Sequence, residues 1–115
     1  MTLVLHQEGF ARAKQLIKQG KVDYTSSWSL GNPSPQEGNQ FIANHSMEEY
    51  GMWFLALNMD EPEGTKSHYE FPLGDFDKLY REALITIERR AAQYNHPDVE
   101  AAAKQLLQLI EKKKA

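Results

Sequence analysis

The chain has no cysteine, no long hydrophobic run and no excess of positive charge, and each absence closes off a class of function. Without cysteine among its 115 residues there is no disulfide framework, no thiolate metal site and no cysteine nucleophile. The longest apolar run, Met52-Trp53-Phe54-Leu55-Ala56-Leu57, is the length of a strand, far short of the ~18 residues of a membrane span. The 13 Lys and Arg against 16 Asp and Glu leave a net charge of −3. A nucleic-acid binder instead carries a clustered basic face, because phosphate neutralisation drives much of its affinity. Here the basic residues are spread out, apart from Arg89-Arg90 and Lys112-Lys113-Lys114. The lysine cluster reads as a solvated helix end, where cations complement the helix dipole. The opening Met1-Thr2-Leu3-Val4-Leu5-His6 is apolar over only three residues and lacks the basic region of a secretory signal. These absences lead us to expect a cytoplasmic protein with no cofactor and neither nucleic acid nor membrane as partner.

What is present suits one globular domain spanning residues 1–115: 41% hydrophobic and 25% charged residues in 13.2 kDa. Phe10, Ala13, Leu16 and Ile17 share one helical face, and Gly20 supplies a left-handed helix stop. Val22, Tyr24, Ser26 and Trp28 alternate as in a strand. Ser34-Pro35-Gln36-Glu37 has the residues of a capping box, with a short helix carrying Phe41 and Ile42 after it, and Ser46-Met47-Glu48-Glu49 repeats the pattern. Met52–Met59 reads as a strand covered on both faces. Asp60–Gly64 is a turn, and Ser67, Tyr69 and Phe71 alternate with His68 and Glu70 in a second strand stopped by Pro72. Asp75 suits the cap of a long helix over Phe76–Tyr94, and Asn95-His96-Pro97-Asp98 breaks the chain before a last helix from Val99 to about Lys112. The fold class is therefore α+β. An N-terminal helix precedes a small antiparallel sheet of about three strands, which packs against a C-terminal antiparallel helical hairpin with Ala91 and Ala103 in its contact.

Two stretches look familiar together. One runs from Ala13-Lys14-Gln15-Leu16-Ile17 through Gly20-Lys21-Val22-Asp23 to Trp28-Ser29. The other runs from Tyr50-Gly51-Met52-Trp53-Phe54-Leu55 through Thr65-Lys66-Ser67-His68-Tyr69-Glu70-Phe71-Pro72-Leu73-Gly74-Asp75, and continues to Arg90-Ala91-Ala92-Gln93-Tyr94 and Asp98-Val99-Glu100-Ala101-Ala102. Together they resemble a family of short bacterial proteins, a similar module of which occurs in some phage proteins, including segments attached to capsid-maturation proteases. The resemblance implies a relative but no activity, cofactor or substrate. The family motif has His-Arg where this chain has Tyr80-Arg81, so histidine chemistry at that point is lost.

Chemistry-bearing patterns are few. His6, His45, His68 and His96 never share a helix at ligand spacing, so no metal site is expected. No serine lies in a nucleophile elbow, and no glycine-rich phosphate loop is present. Gly74-Asp75 suits a helix cap better than an anion site, since the carboxylate repels anions. The polar set that stands out is Lys66, His68 and Glu70. These share the strand face opposite Tyr69 and Phe71, a face expected to be solvated and open to a partner. Arg81 lies off the stripe of the long helix, whereas Arg90 falls near its buried edge, within reach of the sheet or Asp75. Trp28, next to a loop, is the aromatic residue expected to be partly exposed, and Trp53 a core residue.

From these residues the first expectation is a non-enzymatic interaction module that binds a protein or self-associates through the sheet face or the strand near Trp28. The alternative is a small-molecule or anion-binding domain, with or without enzymatic activity, with Lys66, His68, Arg81 and Arg90 around a pocket between sheet and helical hairpin. A phage-related assembly module is a third, resting on the resemblance alone.

Overall fold

In a computed structural model describing residues 2–114, the central strand β3 (Phe54–Asn58) lies between β1 (Leu3–Leu5) and β4 (Tyr69–Pro72), antiparallel to both. Val4 pairs with Leu57 on one edge, and Ala56 with Glu70 on the other. The outer strand β1 arises from the Leu3-Val4-Leu5 run, which sequence periodicity alone is too short to identify.

Helix α1 (Gln7–Lys18) starts directly after β1. It ends in a Schellman turn: Lys21 N–H donates to the Leu16 carbonyl, Gly20 N–H to that of Ile17, and Gly20 sits at φ 76°. Gly9 lies against the Phe54 carbonyl so closely that a methyl group there would collide with backbone. That approach brings α1 onto β3.

The strand expected over Val22–Trp28 is corrected. Only β2 (Val22–Asp23) is extended, and it pairs in parallel with β5 (Leu79–Tyr80), outside the main sheet. The Asp23 carboxylate accepts the Thr25 and Ser26 N–H groups, which turns the chain. A helical turn, α2 (Trp28–Gly31), then begins. The capping box is present at α3 (Pro35–Asn44), where Ser34 Oγ and the Glu37 side chain exchange backbone bonds. At α4 (Met47–Gly51) Ser46 Oγ accepts the Glu49 N–H.

The long helix begins later than its apolar stripe suggests: α5 covers Arg81–Gln93. Asp75 closes a tight loop instead of capping a helix. Its Oδ1 accepts the N–H groups of Asp77 and Lys78, its own N–H donates to the Lys78 carbonyl, and Gly74 and Leu79 form an antiparallel bridge. Phe76 at the loop's tip takes φ 71°, which no helix permits. A second Schellman turn, with Asn95 at φ 63°, ends α5 and leads into α6 (Pro97–Lys114).

The helical pair α5–α6 packs on the sheet, as expected. Leu84, Ile87 and Ala91 meet Val99, Ala103, Leu106 and Ile110 in one core with Leu16, Leu55, Leu73 and Leu79. Ala91 and Ala103 have no exposed surface. A radius of gyration of 13.2 Å is that of a single domain of this length. Among the described residues no helix is long and apolar enough to cross a membrane.

The candidate functional site: an aromatic cleft at the mouth of the sheet

The aromatic residues of the α4–β3 junction meet the Asp75 loop over a cleft of about 250 Å³, lined among others by Pro35, Tyr50, Trp53, Phe54, Lys66 and Phe76. The chain leaves α4 at Tyr50 and enters β3 at Phe54, so one short connection presents three rings. Tyr50 packs 4.8 Å from Phe54 and 5.8 Å from Phe76, and Trp53 meets Phe76 edge-on at 6.1 Å. Phe41 of α3 stacks on Phe76 at 4.5 Å and His45 stacks on Phe41 at 4.1 Å, buttressing the wall from behind. Burial raises the Tyr50 phenol above its ordinary pKa, so it stays protonated.

Phe76 holds this position against its own backbone. A bulky residue in the left-handed region costs on the order of 1–2 kcal/mol. The Asp75 carboxylate sustains it through the two loop N–H groups and through Oδ2, which accepts from Lys78 Nζ at 3.3 Å and Tyr80 Oη at 3.2 Å. Partial burial pushes the Asp75 carboxyl up, but the Lys78 and Asp77 donors outweigh it, and the net pKa is below the usual value.

Lys66 supplies the cleft's charge. Its Nζ donates to the Pro35 carbonyl at 3.2 Å and to Asn39 Oδ1 at 2.9 Å, and lies 5.9 Å from the centre of the Tyr50 ring. Both acceptors are neutral. Among the described residues no carboxylate pairs with it, and one of its three ammonium donors is left over. A fixed, unneutralised cation therefore stands beside an apolar hollow. Trp53 and Phe76 also border a second, polar cleft of about 360 Å³, where His45 lies 3.5 Å from Glu49.

Of the candidate binding residues Trp28, Lys66, His68, Glu70, Arg81 and Arg90, Lys66 alone lines the cleft. His68 is not on an open face: it is 5% exposed, and its Nδ1–H donates to the carbonyls of Asn58 and Glu61 at 3.0 and 3.1 Å. The reason is local. Lys66–His68 form a 3₁₀ turn, whose period of three swings His68 inward where a strand would turn it outward. Glu70 is half-buried opposite Ala56; burial raises its carboxyl, Glu61 adds to this, and the Asn58 side chain opposes it. Trp28 is 8% exposed, not open to a partner. Its ring tilts onto Tyr80 at 5.1 Å, and its backbone N–H donates to the Glu82 carboxylate of α5. Arg81 ties α5 to α6 through Glu111 at 2.9 Å. Arg90 is exposed in the last turn of α5, away from Asp75's hydrogen bonds. Sequence reasoning assigns neither Tyr50 nor Phe76 to a site: Tyr50 stands among the strand aromatics and Phe76 in the stripe of the long helix. The one signal for them was the density of aromatics around a helix-to-strand junction, which serves a core equally well.

Among the described residues no three metal-ligating side chains cluster. No protein-family model, curated protein or solved structure matches the chain.

Proposed function

We propose that the chain is a non-enzymatic recognition module whose aromatic cleft takes one planar apolar group bearing a carboxylate, presented at the C-terminal end of a protein partner. The observation that carries this reading is Lys66, a cation held by two neutral acceptors at the edge of a ring-lined hollow. Aromatic walls favour a flat apolar group, and an uncompensated ammonium favours the anion attached to it. The volume, about 250 Å³, lies below the roughly 300–1,000 Å³ of ordinary small-molecule sites, so the cleft holds one ring and a short tail. Neither His6 nor His68 lines the cleft, and each is turned toward a backbone carbonyl, so neither is placed to act on a bound group as acid or base. The same small volume favours a second reading, a free aromatic acid. The resemblance to phage-associated modules is compatible with the first reading, since an assembly module is a protein-binding one.

The test is an NMR titration that follows the two tryptophan indoles. Trp53 borders the cleft, while Trp28 packs in a separate cluster with Tyr80 and Ala83 and serves as the internal control. The probes are 3-phenylpropionate and a short peptide ending in a phenylalanine carboxylate, each beside its amide. The proposal expects the Trp53 indole to shift and that of Trp28 to stay, with Kd near 0.1–1 mM for the small acid on the order expected for so few atoms. Tighter binding of the peptide points to a chain end, and equal binding to a free acid. Shifts at Trp28 alone, or none, would remove the cleft as a recognition site.

A further inference from the structure

A second surface, separate from the cleft, lies where α1 crosses α6. A groove of about 600 Å³ runs between the two helices with Ile17 and Leu109 in its floor and Lys14, Lys18, Lys112 and Lys113 along its rims. A further concavity of about 470 Å³ over Ala101 shares Gln105, Leu109 and Lys112 with it, so the two form one continuous trough. No carboxylate lines either one among the described residues. Of the nearby acids, Glu111 is tied to Arg81 of α5, and Glu100 pairs at 3.3 Å with Lys104, a residue lining the second concavity, so Lys104 is not counted among the free cations. None of the four rim lysines pairs with a carboxylate among the described residues, and Lys14 lies over the Phe10 ring at 4.3 Å. In a chain of net charge −3, four uncompensated cations around one trough are a local reversal of the overall sign.

We propose that this trough docks an acidic amphipathic helix of a partner protein. Charge complementarity selects the acidic character, and the apolar floor selects an occupant with side chains to bury, which a phosphate backbone does not offer. The trough follows α6 from Ala101 to Lys113, about 18 Å at the helical rise, which is roughly three turns of a docked helix. Ala11 and Ala101 present small side chains, so the helix can approach closely and place leucine-sized residues against Leu109. A membrane surface is disfavoured, because among the described residues the trough carries no large exposed aromatic to insert, and the exposed large apolar residues Val4, Leu30, Met59 and Tyr94 all lie outside it.

The test titrates the labelled protein with a capped helical peptide of about four turns, bearing leucines at helical spacing between glutamates. A scrambled peptide of the same composition, a single-stranded DNA oligonucleotide and phosphatidylserine vesicles run in parallel. The proposal expects the patterned peptide to bind with Kd tighter than ~100 µM and to shift the amides of Lys14–Lys18 and Gln105–Lys113. Binding should weaken at least about tenfold in Lys18→Glu/Lys112→Glu, and comparably in Leu109→Ser, while circular dichroism shows both variants folded. Equal binding of the scrambled peptide, tighter binding of DNA or vesicles, or no peptide binding below ~1 mM would each overturn it. So would a dimer in sedimentation velocity that the charge-reversal variant dissolves, since the occupant would then be a second copy.

Discussion

At most helical or extended positions a glycine is less stable than an alanine by about 0.5–1 kcal/mol, because it has more freedom to lose. Position 76 should invert that order. Phe76 sits at φ 71°, where a Cβ is strained and glycine is not. Phe76→Ala and Phe76→Gly both remove a half-buried ring from contact with Phe41, Tyr50 and Trp53. A fully buried phenylalanine costs about 3–5 kcal/mol on truncation, so half-burial puts this loss at roughly 1–3 kcal/mol. Only the alanine variant keeps the backbone strain, on the order of 1–2 kcal/mol. After the entropy glycine adds to the unfolded chain, Phe76→Gly should be the more stable of the two by about 0.5–1 kcal/mol. Urea unfolding reads this directly: the midpoints should order wild type, then Gly, then Ala, with unchanged m-values. If alanine proves the more stable, the loop does not hold Phe76 in the left-handed region and the cleft wall has been placed wrongly.

Three further perturbations test the supporting structure. Ala91→Glu buries a charge where no surface is exposed, at the α5–α6 contact, and should cost several kcal/mol, on the order of 3–5, or unfold the domain in thermal melts; an unchanged melting temperature would mean the hairpin is packed differently. His68→Ala leaves the Asn58 and Glu61 carbonyls without their donor and should cost about 1–3 kcal/mol, checked by urea denaturation; a loss under ~0.5 kcal/mol would return His68 to the surface. Acid stability should carry the mark of Asp75. Its folded pKa is below 3.8, so its contribution is complete above that value and is lost as pH falls through the folded pKa. Asp75→Asn should therefore flatten the fall of the urea midpoint below pH 3.8. Glu70 acts with the opposite sign, because its folded pKa lies above 4.5 and stability declines as pH rises from 4.5 through the folded value.

The parts of the fold legible in the sequence are those where one residue type has one physical use. Gly20 at a helix end, the Ser34–Glu37 box and the alanine-leucine stripes of α5 and α6 are of this kind. The errors fall where local hydrogen bonding overrides periodicity. Asp75 can cap a helix or close a loop, and the choice rests on Tyr80 Oη and Lys78 Nζ reaching its second oxygen, which a linear pattern does not show. Asp23 likewise turns a plausible strand aside, and the apparent alternation to Trp28 ends at that carboxylate. The 3₁₀ turn at Lys66–His68 reverses which side chain faces inward, so of these three residues Lys66 lines the cleft while His68, expected on an open face, is buried. The cleft itself brings together Pro35, Tyr50, Lys66 and Phe76 across the chain, and no spacing rule marks such convergence.

The proposed reading of a carboxylate by Lys66 is isolated by a thermodynamic cycle. The affinities of 3-phenylpropionate and 3-phenylpropionamide are measured for the wild-type protein and for Lys66→Met, which keeps the apolar stem and removes the charge. The wild type should prefer the acid by roughly five- to tenfold, about 1–1.4 kcal/mol, and the variant should bind both alike at the amide's affinity. A wild type indifferent to the charge, or a variant that keeps the preference, would contradict the proposed role of Lys66.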